Sequence, residues 1–233
     1  MADPLTVSPS VRKAARRPQR RRPVLVPIRA VAAHERERIT QHLLGLDARD
    51  RYLRFGYAAN DEHIRRYVAG LDFERDQIFG IYNRRLHLIA MAHLAFSLDP
   101  QYASCAEFGV SVQASARGRG YGKRLFDRAV VHARNQGVSM LFIHALTENT
   151  VMLGIAAKAG AVVERDGSES EAYLMLPAAT LDTRVSELVE EQFAQANYAI
   201  KQQAKRFYVF LKRLRQGDGP QHAPTPDEPP AAT

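Results

Sequence analysis

The chain has 233 residues, of which 45% are hydrophobic and 25% are charged, a composition typical of a globular protein with an apolar core. Its one cysteine, Cys105, excludes an intramolecular disulfide and a cysteine zinc cluster. No apolar run approaches the roughly 20 residues of a membrane span, and the arginine-rich start lacks the hydrophobic segment of a secretory signal. We therefore expect a cytoplasmic protein without a membrane span, although the acid-poor start is also compatible with a transit peptide.

The basic charge is concentrated towards the two ends of the chain. Residues 1–22 contain seven Lys and Arg against one acid, and residues 201–215 contain six with no acid. Because segment 1–23 has few large apolar residues, we predict a disordered basic arm there and a second disordered tail at 216–233. The arm is suited to contact nucleic acid phosphates, but a solubilising role is the more common one for such a segment.

Between these ends, strand and helix patterns alternate in the order of an α/β protein. The apolar patterns predict strands at 24–31, 77–83, 86–96, 106–112, 140–146 and 171–177, and helices at 33–45, 60–71, 122–137 and 149–160. The early strands should meet as hairpins and the later ones should connect through a helix.

Residues 181–215 carry one long helical pattern, with apolar residues at three- and four-residue steps and Lys and Arg opposite. Three interpretations compete: packing on the domain's own sheet, a homodimer contact, or a helix on a membrane surface. The acids Glu187, Glu190 and Glu191 argue against an anionic membrane, so packing or dimerisation is favoured.

The stretch SARGRGYGKRL (115–125) concentrates three glycines and four cations in eleven residues. It does not fit a P-loop, because Arg117 replaces the first glycine and Arg124 replaces the Ser or Thr that would hold magnesium. It does not fit a dinucleotide fingerprint either, because its three glycines are spaced two apart. Free N–H groups in the first turn of a helix attract anions, and glycines let a diphosphate approach the backbone. The pattern therefore predicts an anion cradle, with a flexible loop or an RNA-binding Arg-Gly element as alternatives.

Two motifs in this region resemble those of the GNAT superfamily of acyl-CoA-dependent N-acyltransferases. The stretch VSVQASARGRGYGKRL (110–125) is similar to [QR]-x-x-G-x-[GA], and ENTVMLGIAAKAGA (148–161) is similar to N-x-x-[AM]-x-x-[LI]-Y-x-K-x-G-[FA]. The resemblance covers about 24–177, and the phrases YLRFG, AEFGVSV and ENTVML are similar to the catalytic domain of bacterial protein-lysine acetyltransferases. It implies a GNAT-like domain over 24–178, with a mixed, mostly antiparallel sheet flanked by helices. The matching residues are Arg117, Gly120, Gly122, Asn149, Met152, Ile155, Lys158 and Gly160.

The resemblance implies acetyl-CoA as the co-substrate, no metal, and direct transfer to a primary amine of a protein lysine or a small molecule. We expect the residues that bind the acceptor in the loop region RYLRFGYAAND (51–61) and near 165–171, although the sequence indicates no specific pocket there. In the family, the glycine turn holds the coenzyme pyrophosphate, and the backbone amides near Val110 and Val112, on the strand that leads into the turn, line its pantetheine arm. The implied coenzyme-binding residues are Val110, Val112, Arg117, Gly118, Arg119, Gly120, Tyr121, Gly122, Lys123 and Asn149. Asn149 is also a candidate N-cap for the helix that it precedes.

Amine acylation needs a base, because an ammonium cannot attack a thioester and a lysine has a pKa of about 10.4. Glu107 corresponds to a glutamate that serves as this base in protein-acetylating members of the family. A solvent-facing or ion-paired glutamate is the alternative, and His93 or His144 could then act instead. Neither histidine, nor His87 or His132, has metal-ligand spacing.

Ala156 stands where many members of the family have the tyrosine that protonates the departing thiolate. Tyr173 is a remote substitute, and water or no acid at all are further options. A domain that binds acyl-CoA without turnover, in a regulatory or nucleic-acid-associated protein, is the alternative function.

Overall fold

The computed structural model describes residues 26–195 and 198. The predicted basic arm, the predicted tail and residues 199–215 of the long helical pattern lie outside the described residues. In the described part, the strands are β1 (Arg29–Ala30), β2 (Gln77–Tyr82), β3 (Leu88–Phe96), β4 (Cys105–Val112), β5 (Met140–Leu146), β6 (Val162–Asp166) and β7 (Glu169–Met175). The helices are α1 (Arg36–Leu44), α2 (Ala48–Phe55), α3 (Asp61–Ala69), α4 (Tyr121–Asn135), α5 (Thr150–Lys158) and α6 (residues 181–195).

The seven strands form one sheet in the order β1-β2-β3-β4-β5-β7-β6. Every neighbouring pair is antiparallel except β4 and β5, which run parallel. This parallel step is possible because α4 crosses over between the two strands. The predicted mixed, mostly antiparallel sheet flanked by helices is therefore confirmed.

The central strands β2 and β3 are buried on both faces, which explains their nearly continuous apolar sequence. On one face, Phe108 of β4 and Phe126 of α4 meet edge to face with ring centroids 5.2 Å apart. On the other face, Ile78 and Met91 pack with Ile39 of α1 in a second cluster. These two hydrophobic clusters enclose β3 between them, in the middle of the molecule.

Most elements lie where the sequence predicts them, and β5 matches its prediction residue for residue. The prediction of a loop at 51–61 is wrong, because 51–55 belong to α2. The Asp47 side chain caps this helix by accepting from the Asp50 N–H at 2.7 Å, and Gly56 ends it at φ 80°. With eight residues, three of them arginine, α2 has too weak an apolar pattern to be recognised.

The strand β6 is a second element that the sequence analysis missed. Its residues are mostly exposed, so the chain shows no alternation of apolar and polar side chains there. β6 forms because β7 offers it an antiparallel partner from Val162↔Tyr173 to Asp166↔Glu169. The region 165–171 thus consists of the two strand ends around a hairpin turn.

α6 docks onto α4 through its polar face. The side chain of Arg128 is only 4% exposed, and its Nη1 donates to Glu187 at 2.8 Å while Nη2 donates to Glu191 at 3.3 Å. His132 also lies 2.5 Å from the Glu187 carboxylate. The acids that argue against a membrane surface are thus the residues that bind α6 to its own domain. This contact is with a helix, and not with the sheet.

The large apolar side chains of α6 point away from the domain, whereas the small Ala194 is buried. Val185, Leu188, Val189 and Phe193 are all exposed, at 60%, 63%, 62% and 42%. Further along the chain, the Tyr198 hydroxyl donates to Glu35 at 3.1 Å, and Glu35 forms an ion pair with Arg29 of the edge strand β1. In the described part of α6, the polar face therefore contacts the domain and the large apolar side chains face solvent. This is the reverse of the usual arrangement of an amphipathic helix.

The docking of α6 should depend on pH through Glu187. Burial would raise the pKa of this carboxyl, but hydrogen bonds from His132 and Asn135 and the charge of Arg128 outweigh it and lower the pKa to about 2. Because the folded pKa is below the ordinary value of 4.5, the stabilisation is complete above that pH and is lost as the pH falls towards 2. Glu187→Gln should therefore lower the free energy of unfolding by about 1–3 kcal/mol at neutral pH, with a difference that shrinks below pH 4.5.

Urea unfolding followed by circular dichroism at several pH values measures this difference. Glu190→Gln is the matched control, because the Glu190 side chain is 56% exposed and lies 3.8 Å from Arg128. An equal effect of both substitutions, or a constant difference from pH 7 to pH 2, would show that Glu187 does not anchor the helix.

Candidate active site

The strands β4 and β5 pair over only three residues and then separate. Their register runs from Cys105↔Met140 to Glu107↔Phe142, whereas β4 stays paired with β3 up to Val112. The parallel pair therefore opens into a wedge, and Glu107 is the last β4 residue before the opening.

Backbone groups of β4 point into this wedge. The Gln113 N–H donates to the Ile89 carbonyl at 3.0 Å on the β3 side. In an antiparallel ladder every second residue bonds the same neighbour, so the N–H and C=O groups of Val110 and Val112 face the opposite edge. They provide hydrogen-bonding groups for a ligand, in place of the strand partner that β5 no longer supplies.

The wedge leads into a cleft of about 820 Å³, which is a normal size for a ligand site. One wall consists of β4 and the glycine turn, a second of α5 and the segment before it, and a third of α2 and the residue before its cap. The α2 wall was not predicted, because α2 itself was not recognised. The lining residues on that wall are Leu46, Arg49, Asp50, Leu53 and Arg54.

The glycine turn delivers the N-terminus of α4 to the cleft. Gly118 and Gly120 adopt φ 74° and 73°, which glycine tolerates and other residues rarely do. Gly120 is the N-cap, and it provides no side chain to satisfy the first-turn N–H groups. The helix is 15 residues long, so these groups and its dipole create an anion-binding end.

Almost all predicted coenzyme-binding residues line this cleft, and Arg119 is the exception. The Arg119 side chain donates back to the Ser115 carbonyl at 3.3 Å, outside the cleft. Arg117 forms an ion pair across the cleft with Asp50 of α2. The predicted residues that line the cleft are Val110, Val112, Arg117, Gly118, Gly120, Tyr121, Gly122, Lys123 and Asn149.

Asn149 also caps α5, because its side-chain oxygen accepts from the Met152 N–H at 3.2 Å. The structure thus shows the capping role, and Asn149 also lines the cleft. Lys123 lies 2.5 Å from Asp127, one turn along α4, so its charge is shared with a neighbouring carboxylate.

A second cavity of about 120 Å³ adjoins the cleft and contains Glu107. Glu107 is exposed and forms no hydrogen bond or ion pair with the described residues, so the predicted alternative of an ion-paired glutamate does not apply there. His144 also lines this cavity and lies 3.4 Å from Glu169. The residues common to both cavities are Leu53, Arg54, Val110 and Met152.

A buried chain of polar side chains reaches this junction from the α1–α3 face. Arg54 donates to the Tyr67 hydroxyl at 2.9 Å, and this hydroxyl lies 2.8 Å from Nδ1 of His93. Nε2 of His93 lies 3.0 Å from Asp76. Burial lowers the pKa of His93, and burial also raises the pKa of Tyr67. His93 therefore sits behind the site with both nitrogens engaged, and lines neither cavity.

A second buried histidine supports β4 from the same face. Nδ1 of His42 donates to the Leu88 carbonyl at 3.0 Å, so its Nε2 accepts from the Ser111 hydroxyl at 2.8 Å. Burial lowers the pKa of His42 to about 4. The ring is consequently neutral at pH 7 and stabilises the strand rather than carrying charge.

The family can be assigned from a sequence match over this region. A model described as the acetyltransferase (GNAT) family matches residues 40–161, more than half of the chain. The chain belongs to the GNAT acetyltransferase family. No curated protein shows significant sequence similarity to this GNAT protein.

Several solved structures share its fold. The GNAT domain of PAT from S. lividans is 19% identical, with a TM-score of 0.55 over 64% of this chain and 89% of that one. A protein assigned as an acetyltransferase from Acinetobacter baylyi ADP1 is 17% identical, with a TM-score of 0.55 over 65% and 93%. The yncA protein from Salmonella typhimurium, solved with acetyl-CoA, is 12% identical, with a TM-score of 0.52 over 67% and 96%. At these identities the likeness shows the GNAT fold.

Neither Ala156, which replaces the tyrosine of the family, nor Tyr173, the remote substitute for it, lines either of the two cavities of this GNAT protein. Ala156 is a residue of α5 and is fully buried in the core. Tyr173 lies on β7 outside both cavities, and its hydroxyl donates to Glu171, which raises the Tyr173 pKa to about 12. Within residues 26–195 and 198, no group of His, Cys, Asp and Glu is arranged to hold a metal ion. No described helix is long and apolar enough to cross a membrane.

Proposed function

We propose that the protein transfers the acetyl group of acetyl-CoA directly to a primary amine, either of a protein lysine or of a small molecule. The observation that carries the proposal is the continuity of two cavities at the fork of β4 and β5. One cavity begins at an anion-binding helix end, and the other contains an unpaired carboxylate. An acyl donor and an amine acceptor could therefore meet without moving any element of the fold.

The cleft residues fit the coenzyme by their chemistry. The first-turn N–H groups of α4 and the Arg117 and Lys123 charges suit the pyrophosphate, and the Val110 and Val112 backbone suits the amides of the pantetheine arm. Asn149 lines the same wall near the end of that arm. The acidic partner of Arg117, Asp50, would give way to the phosphates or keep the arginine oriented towards them.

Glu107 is our proposed general base. Because Glu107 lines the second cavity and not the cleft, it would lie on the acceptor side, where it can remove the proton from an incoming ammonium directly or through one water. Its exposure suits an acceptor that arrives from solvent, such as a lysine side chain. The resemblance of YLRFG and ENTVML to protein-lysine acetyltransferases supports the same acceptor class.

Release of free CoA in the presence of amines and lysine-containing proteins tests the function. Coenzyme binding with no CoA release across that library would instead favour the acyl-CoA sensor. Failure to bind acetyl-CoA at all would reject both hypotheses and would favour an Arg-Gly element that binds RNA.

The anion cradle predicts the effect of a branched side chain at Gly120. We expect Gly120→Val to abolish measurable acetyl-CoA binding, because its side chain would occupy the place of the diphosphate. Its positive φ also costs the variant about 1–2 kcal/mol of stability. Gly137→Val is the control, because Gly137 has φ 82° near the other end of α4, and both positions are free of neighbours within 4 Å.

Isothermal titration calorimetry on both folded variants measures the difference. The control should bind acetyl-CoA as the wild type does and lose similar stability. Normal affinity in folded Gly120→Val would place the pyrophosphate elsewhere.

The base assignment predicts the effect of removing the Glu107 charge. Glu107→Gln should lower turnover by about 10²–10⁴ at neutral pH while leaving acetyl-CoA affinity almost unchanged. The variant should recover activity at high pH, as more of the acceptor amine becomes neutral. Glu148→Gln is the matched control, because Glu148 lines the coenzyme cleft and not the second cavity. Steady-state kinetics from pH 6 to pH 10 compare the two, and an unaltered profile in Glu107→Gln would move the base to His144.

We also propose that α6 forms a homodimer contact. The stripe of Val185, Leu188, Val189 and Phe193 is exposed and continuous along one side, and two copies of one helix can pair about a two-fold axis. Leu188→Glu should shift the protein from dimer to monomer, because a carboxylate would be buried at the contact. Sedimentation equilibrium over a range of concentrations measures this shift. Leu98→Glu, at an exposed leucine outside α6, should leave the dimer intact, and a monomeric wild type would reject the contact.

A further inference from the structure

Arg54 occupies the place where the two cavities meet. Four residues line both cavities, and Arg54 is the one among them with a polar side chain, since the others are Leu53, Val110 and Met152. If the coenzyme fills the cleft and the acceptor enters the second cavity, the reacting carbonyl must lie at this junction. The sequence predicts acceptor-side residues in the stretch 51–61 that contains Arg54, but it assigns no role to Arg54 itself.

The strand beneath Arg54 is shaped to receive its guanidinium. A Cβ atom built on Gly109 would lie 2.7 Å from Cζ of Arg54, closer than real side chains approach. The guanidinium thus lies directly on the β4 backbone, one residue before Val110. Only the missing side chain of Gly109 allows this contact.

Arg54 is partly buried and lacks a counter-ion. It forms no ion pair with a carboxylate of the described residues, and its hydrogen-bond partner is the neutral Tyr67 hydroxyl. Its Cζ lies 5.3 Å from the Phe55 ring centroid and 5.5 Å from that of Tyr67. A cation withdrawn from water without a paired anion is unfavourable, which makes the junction a favourable place for negative charge.

The chain behind Arg54 holds it in place. Since Arg54 donates to the Tyr67 oxygen, the Tyr67 O–H is free to donate to Nδ1 of His93, and Nε2–H of His93 then donates to Asp76. Arg75 donates twice to Asp76, at 2.6 and 2.9 Å, and closes the chain. Four side chains therefore limit the motion of the guanidinium, as transition-state stabilisation requires.

We propose that Arg54 is a catalytic residue that stabilises the oxyanion of the acyl-transfer reaction. The inference rests on the proposed acetyltransferase function. When the neutral amine attacks the thioester carbon, the new C–N bond forms and the carbonyl π pair moves onto oxygen. That pair returns as the C–S bond breaks and the CoA thiolate leaves. Glu107 has by then passed the proton of the ammonium to water, and its carboxylate takes the proton that the attacking nitrogen loses. Arg54 stabilises the negative oxygen between the attack and the breaking of the C–S bond, and Tyr67 and His93 are positioning residues.

Two coenzyme derivatives test this role without an acceptor. Carboxymethyl-CoA carries a carboxylate next to the position of the thioester carbonyl, and carboxamidomethyl-CoA is its neutral isostere. The wild type should bind the anionic ligand at least about tenfold more tightly than the neutral one, which is the usual effect of one charge-assisted hydrogen bond. Arg54→Met should bind both equally, and Arg54→Lys should keep part of the preference.

Matched variants separate this role from a general loss of positive charge or of folding. Arg49→Met removes another α2 arginine that lines only the cleft, so it should weaken both ligands alike and preserve their ratio. Gly109→Ala displaces the guanidinium without removing it and should also reduce the ratio, which tests the role even if Arg54→Met does not fold. Tyr67→Phe should give a partial reduction.

The outcomes distinguish this inference from the proposed function. Tight binding of both ligands with no preference in the wild type, or a preference that survives in Arg54→Met, would overturn the role of Arg54 and leave the acetyltransferase proposal intact. Binding of neither ligand would reject the acetyltransferase proposal itself, and the inference with it. With an acceptor in hand, Arg54→Met should lower kcat by about 10²–10³ with little change in the KM for acetyl-CoA. A change confined to the KM of the acceptor would instead make Arg54 an acceptor-binding residue.

Discussion

The parting of β4 from β5 is the constraint on which the rest of this structure depends. Paired strands satisfy each other's backbone groups, so a strand edge in the middle of a sheet must find other partners. Here β4 keeps β3 on one side and loses β5 after Glu107 on the other. The exposed edge supplies the groups that a coenzyme needs, and the gap supplies the room. Elsewhere the sheet is continuous, so the opening is confined to one place.

Elements from both faces of the sheet close around that opening. α4 and α5 bring the anion-binding end and one wall from one side, and α2 brings Arg54 and Asp50 from the other. α4 is held by packing remote from the cleft, through the contact of Phe126 with Phe108 of β4. The site therefore combines a rigid sheet with a wall whose polar residues are tied to it by buried hydrogen bonds. Such support is what a reaction needs when charge develops at one atom.

The secondary structure could be predicted where side chains carry a clear pattern. β2, β3 and β5 are buried and apolar, and α4 combines an apolar stripe with a glycine start, so each was recognised from its residues. α2 and β6 were both missed. α2 depends on its caps and on contacts with β4, and β6 depends on pairing with β7, and neither cause leaves a local pattern. α6 shows a further limit, because its pattern predicts an apolar contact while the observed contact is made by acids with Arg128.

The sequence by itself determined the family, the glycine turn and nearly all of the residues that line the cleft beside it. Those features are local, because a turn that requires positive φ and a helix that follows it are encoded within a dozen residues. The tertiary structure alone decided that Glu107 is unpaired and that Arg119 lies outside the cleft. It also decided that Arg54, 53 positions before Glu107 in the chain, contributes to the same junction. These facts depend on which distant segments meet across the sheet, and residue spacing along one chain carries no record of that.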